Sequence, residues 1–185
     1  MSVMLEIGVF LVQTLFSLYT SAIIIRFLLG YARADFYNPL SQFIVKITNP
    51  VLVPARRFVP SVGKLDTSAV LVAYILIFIK SLLLSNMLGA NLGIAGLLVM
   101  SVGDLISSVI WIYIIALIIM AVISWIGSAS GNPVVPLIQS LTSPLVTPAR
   151  RVIPPVGMMD FSPMVVMLGL YILLIIVRGI FGPSF

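Results

Sequence analysis

Cysteine and histidine are both absent from the 185-residue chain. Their absence excludes disulfides, thiol redox chemistry, haem ligation by imidazole and the usual zinc sites. Charge is scarce as well. Only 8% of residues are charged, against roughly 25% in soluble domains, and the mean hydropathy is +1.26. The five carboxylates are scattered along the chain and form no paired acid and base. Neither a phosphate-binding glycine loop, nor a nucleophile elbow, nor a cluster of metal ligands is present. The sequence therefore predicts no enzyme, with no catalytic, cofactor-binding or metal-binding residue.

Long apolar runs take the place of charge. Four stretches, near 7–30, 67–88, 104–126 and 162–181, have the length needed to cross a hydrocarbon core of about 30 Å. None alternates polar and apolar residues, so closed helices are expected and a barrel is not. The fold class expected is all-α, a polytopic helical membrane protein. The N-terminal "MSVMLEIGVF" has no basic n-region and no small-residue cleavage site, which reads as a retained signal anchor. The loops are too short to build a separate globular core.

Eight of the ten lysines and arginines fall in or beside two loops: Arg26, Arg33, Lys46, Arg56, Arg57 and Lys64 at the first, and Arg150 and Arg151 at the third. The positive-inside rule places both loops in the cytoplasm and both termini in the periplasm. The sequence pI of 9.9 is then a topology signal, and no nucleic-acid partner is expected.

The chain repeats itself. Between 38–76 and 132–170, offset by 94 residues without a gap, 16 of 39 positions are identical, where about three or four are expected by chance. Shared positions include Asn38 and Asn132, Pro39 and Pro133, Thr48 and Thr142, Pro50 and Pro144, Pro54 and Pro148, and both Arg-Arg pairs. Gly63 with Gly157 and Asp66 with Asp160 complete the set. Tyr19 and Tyr113 keep the same register. Two tandem units, 1–93 and 94–185, each contain two spans, so both insert the same way up.

Within each unit, Asn38-Pro39 or Asn132-Pro133 is a helix start, with Asn as cap and Pro at the first position. Leu40, Phe43, Ile44, Ile47 and Val51 form a helical apolar stripe, matched by Val134, Leu137, Ile138, Leu141 and Leu145. Pro50 and Pro144 are expected to interrupt the helix, with a second turn starting at Pro54 or Pro148 and carrying the arginines. The segments 38–60 and 132–154 therefore read as interfacial amphipathic helix pairs lying in the headgroup layer. Asp66 and Asp160 stand where each next span begins. They read as caps that also accept an arginine of their own repeat.

Arginine pairs at a cytoplasmic interface fix orientation and attract anionic lipid, worth about 1 kcal/mol each. The rigid proline frame, and the use of Arg in both copies where Lys would satisfy topology, points further, to docking of anionic headgroups or of a membrane-protein partner at Arg56, Arg57, Arg150 and Arg151. Lys80 is the most deeply embedded charge. It is expected to snorkel outward, as are Arg26 and Arg178 nearer helix ends, although an intramembrane cation is also a functional candidate. Glu6 and Asp104 are expected at the outer ends of spans. Ser85, Gly89 and Gly93 fit either a helix-packing face, which would suit a homo-oligomer, or an external turn.

Two copies of a span, an "NP" amphipathic segment, "PxxxPARR" and a Gly-then-Asp turn before a second span resemble the YggT family of small bacterial and plastid membrane proteins. The double unit is similar to the proteobacterial type. The resemblance implies a bacterial inner-membrane protein linked to osmotic-stress tolerance and potassium uptake, with cell division or cytochrome assembly in other branches. It implies no catalytic residue. The expected function is a non-enzymatic one in osmotic tolerance, through membrane or partner organisation. A potassium transporter or channel subunit, or an assembly or cell-division factor, is the alternative.

Overall fold

The computed structural model describes residues 2–63, 65–90, 92–126, 132–152 and 160–182, the side chains of 124–126 excepted. These residues form six helices: α1 (Val3–Tyr31), α2 (Pro39–Phe58), α3 (Thr67–Leu88), α4 (Ile94–Ile126), α5 (Val134–Val152) and α6 (Ser162–Phe181). The fold is all-α. α1, α3, α4 and α6 are long and apolar enough to cross a membrane. They are apolar on every side, as helices flanked by lipid and by one another must be.

α3 and α6 run as the sequence predicts, whereas α1 starts earlier, at Val3, and α4 starts at Ile94, ten residues before the expected 104. Asp104 is therefore not at a span end. The segment 85–100 consists of the last turn of α3, a short connection and the start of α4. Gly89 closes α3 in the left-handed conformation (φ 66°), Ala90 N–H donates to the Ser85 carbonyl, and the Ser85 hydroxyl donates back to the Ala90 carbonyl at 2.6 Å. Gly89 and Gly93 thus serve a turn and not a packing face.

The prolines do not split the amphipathic segments. α2 is one helix containing Pro50 and Pro54, and α5 is one helix containing Pro144 and Pro148. Each proline withholds an N–H from the carbonyl four residues earlier, which for Pro50 and Pro54 means Lys46 and Pro50, both exposed residues. The carbonyls flanking that gap receive donors from α1: Tyr19 Oη donates to Ile47 O and Arg26 Nη1 to Val45 O, each at 3.3 Å. These bonds tether the carbonyls beside the gap to α1, while the carbonyls that lose a donor belong to exposed residues. The face that α2 turns to the bundle is distinct from its apolar stripe. Ser41, Thr48 and Leu52 point inward, while Leu40, Phe43 and Val51 remain exposed. In α5 the stripe does turn inward, at Leu137 and Leu141.

α1 packs on α3 and α4 on α6, with α2 and α5 laid against their own hairpins, and α3 packs on α4 across the repeats. The main core draws Ile23, Ile24, Leu52, Ala69, Ala73, Ala116 and Leu141 from five helices of both units. α3 is wedged between α1 and α4 and buries nine residues; α6, on the rim, buries Ser162, Pro163, Leu174 and Val177. Where α6 meets α4, Phe181 lies so close to Gly103 that a Cβ there would overlap it.

Candidate functional site

At the end of the bundle where the amphipathic helices lie, each repeat closes a clasp. Arg56 Nη2 donates to Asp66, and Arg150 Nε donates to Asp160 Oδ2 at 2.7 Å. Asp66 also caps α3 by accepting from Ala69 N–H at 3.3 Å and from the Ser68 hydroxyl. Asp160 accepts from Ser162 N–H at 2.9 Å, although the capping residue of α6 is Phe161. Burial pushes both carboxyls up, but these hydrogen bonds and the arginine charge outweigh it and hold both below the usual carboxylate range. Arg57 and Arg151 are exposed and make no ion pair among the described residues. One arginine of each pair is committed, and its neighbour is exposed without an ion pair among the described residues.

The framing residues behave alike in the two copies. Asn38 caps α2 by accepting from Leu40 N–H at 3.0 Å with Pro39 at the first position; Asn132 accepts from Val134 N–H at 2.9 Å, with Pro133 one residue before α5. Asn38 Nδ2 also donates to the Pro133 carbonyl at 2.7 Å, tying the two loops together. Pro54 and Pro148 lie inside their helices, two residues before the clasping arginines. Gly63 takes φ 60° in the turn before Asp66, whereas Gly157 lies outside the described residues, as do residues 153 and 154 at the end of the second expected interfacial segment.

Arg26 does not snorkel. It is 8% exposed, and Nη1 donates to Thr48 Oγ1 at 2.7 Å and Asn49 Oδ1 at 2.8 Å besides Val45 O. The cause is α2, which lies across the end of α1 and offers acceptors nearer than water. The residue 94 positions later is Met120, whose sulfur accepts from the Thr142 hydroxyl at 3.2 Å. Sequence reasoning missed Arg26; the signal available was that its repeat equivalent is a methionine.

Lys80 does not snorkel either. Its Nζ lies 3.7 Å from Asp104 Oδ2, with the side chains 11% and 8% exposed. Lys80 stands eight residues before the end of α3 and Asp104 ten residues into α4, so the pair is roughly 12–15 Å inside the helix ends. Two opposite charges that can reach each other at that depth avoid the desolvation each would meet alone. Arg178 is exposed near the end of α6.

Two cavities adjoin these groups, and a third lies between the repeats. An apolar groove of about 350 Å³ runs between the repeats, and most of its lining comes in pairs 94 apart: Ser21 and Ile115, Ile25 and Ile119, Leu40 and Val134, Phe43 and Leu137, Ile44 and Ile138. It lies on the axis relating the two units. The other two cavities share three lining positions 94 apart, Arg26 with Met120, Val45 with Gln139 and Arg56 with Arg150. One, about 280 Å³, is lined by Arg26, Val45 and Arg56 with Asp66; the other, about 530 Å³, by Met120, Gln139 and Arg150.

A family model described as CCB3/YggT matches the chain twice, over residues 5–87 and 99–181, the second match beginning and ending 94 positions after the first. The chain is 40% identical over 168 residues to a protein of Escherichia coli K12 described as uncharacterized protein YggT, covering 89% of this chain and 85% of that one. It is 40% identical over 177 residues to a Vibrio alginolyticus protein described by its position in the proC 3′ region, covering 94% and 95%. A Pseudomonas aeruginosa protein is 36% identical over 165 residues, covering 88% and 84%. No solved structure matches. With two family matches in the register of its own repeat, and four helices able to cross a membrane, this chain belongs to the CCB3/YggT family.

Proposed function

We propose that this protein is a non-enzymatic component of the bacterial inner membrane, with both termini periplasmic, that supports osmotic-stress tolerance by holding anionic lipid, or a membrane-protein partner, at two arginine-bearing corners. The observation that carries the reading is the division of labour within each pair. Arg56 and Arg150 are clasped to the aspartates that start α3 and α6, which leaves Arg57 and Arg151 exposed beside a fixed point of a proline-containing helix. A guanidinium so placed offers a planar fork to a phosphate or carboxylate. The osmotic part follows from the family resemblance. The test is replacement of Arg57 and Arg151 by Lys, which keeps charge and topology. Insertion should persist while survival of osmotic shock and binding to phosphatidylglycerol vesicles fall; a fully active double variant returns both arginines to a topology role.

A second reading, a subunit of a potassium transporter or channel, draws on Asp104, a carboxylate ten residues inside α4. Lys80 beside it cancels its charge, and arginines at the other end of the bundle oppose an approaching cation. Purified protein in liposomes is expected to give no potassium flux above empty liposomes. A potassium-selective flux abolished by a substitution in α3 or α6 would replace the docking reading.

A further inference from the structure

We propose that the first repeat, and not the second, binds a phosphate anion in the cavity lined by Arg26, Arg56 and Asp66, supplied either by a phospholipid headgroup or by free phosphate. The starting point is an imbalance of charge. Arg26 is 8% exposed, all its hydrogen bonds among the described residues go from Nη1 to neutral acceptors, and no carboxylate there lies within 4 Å of it. The carboxylate in the cavity wall, Asp66, is already bonded to Arg56. Two guanidinium groups thus line a cavity whose one carboxylate pairs with Arg56. A buried charge without a counter-charge is costly, and a bound anion removes that cost.

The second repeat supplies a control within the same molecule. There the position of Arg26 is held by Met120 and that of Val45 by Gln139, and α5 forms over them with its two prolines and the same Arg-Asp clasp. A proline-bearing helix can therefore lie across the first span without a buried arginine, so the charge of Arg26 exceeds what the fold requires. Its chemistry fits phosphate. Nε and Nη2 take no part in the described hydrogen bonds and are the donors that remain for a second oxygen pair. The rest of the wall, Phe27, Gly30, Phe36 and Val45, presents carbon to the ester side of such a group, and about 280 Å³ accommodates one headgroup phosphate with adjoining carbons. The inference rests on the docking reading only in placing this end of the bundle at headgroup depth; it uses neither Arg57 nor Arg151.

The experiment uses the full chain, delipidated and placed in phosphatidylcholine nanodiscs, titrated in parallel with phosphatidylglycerol and with inorganic phosphate, and read by retained lipid in native mass spectrometry and by the thermal midpoint. Wild type should bind one phosphate group and melt higher. Arg26→Met, which copies the second repeat, should weaken binding on the order of tenfold or more, as loss of a charge-assisted contact implies. Saturation by inorganic phosphate alone identifies the free anion as the source, whereas a response confined to phosphatidylglycerol identifies the headgroup. Arg26→Lys serves if the methionine variant does not fold; it keeps the charge, loses the fork and should weaken binding as well. Wild-type affinity in a folded Arg26 variant, or no binding of either probe by wild type, overturns the site. The Arg57→Lys, Arg151→Lys protein should keep this binding, so failure of the platform and failure of the pocket are told apart.

Discussion

Lys80 Nζ and the Asp104 carboxylate, 3.7 Å apart, join α3 of the first repeat to α4 of the second. The positions 94 residues away are Leu174, packed with Ile110 and Ile114, and Phe10, so the pair exists once. It occurs where the repeats meet because α3 has a spanning helix on two sides, α1 and α4, while α6 has only α4 as a spanning neighbour. An ion pair is kept where both charges are shielded, and hydrocarbon suffices at the rim.

Asp104→Asn should therefore strand a buried cation and cost about 3–5 kcal/mol. The double replacement Lys80→Leu, Asp104→Leu should recover most of that loss. Thermal unfolding in one detergent compares the three proteins, and an Asp104→Asn protein as stable as wild type would show the pair to be idle.

The clasps predict an acid-side dependence. Both aspartates are held below the ordinary carboxylate value of about 3.9, so their contribution is complete above that pH and is lost as pH falls through the folded value. Between pH 5 and 8 they add a constant amount, no more than about 1 kcal/mol per half-exposed pair. Melting midpoints of Asp66→Asn, Asp160→Asn should lie slightly below wild type at neutral pH and converge with it in acid. A gap that widens in acid contradicts the assignment.

Topology can be read with single cysteines, since the chain has none of its own. Phe58→Cys and Val152→Cys, equivalent and exposed positions, should be labelled from the same side, and Leu92→Cys from the other. Labelling of positions 58 and 152 from opposite sides would exclude two units inserted the same way up.

Gly103→Ala tests the contact between α4 and α6. The added methyl meets the Cβ of Phe181, close to the backbone, and cannot be accommodated by a side-chain swing. A loss of about 1–3 kcal/mol is expected. Gly96→Ala on the same helix, where nothing lies within 4 Å, should be neutral or stabilising.

The four spans were legible because uninterrupted apolar length has one structural meaning, and the two units because identities recur at one offset. The Arg-Asp clasps were legible in part: the partners lie ten residues apart in both copies, but which arginine of each pair is used depends on the phase of α2 and α5. The continuity of α2 was hidden. The carbonyls that lose a donor belong to exposed residues, α5 with the same two prolines is likewise one helix, and a local rule sees only the missing proline N–H. The burial of Arg26, Lys80 and Asp104 was hidden as well. Snorkelling is what a lone charge does on an isolated helix, and a neighbour bearing acceptors changes the outcome.

Phe181, the last residue of α6, lies level with the tenth residue of α4, so nine residues of α4, about 14 Å, rise past the end of its partner. Ile94, Leu98 and Val99 on that rise are exposed and apolar. The annulus of lipid around the protein therefore meets walls of unequal height, near 30 Å beside α6 and taller beside α4. Matching both costs a fraction of a kcal/mol for each ångström of mismatch, which the bilayer meets by thinning on one flank or the protein by tilting. Either response makes the protein sensitive to membrane thickness.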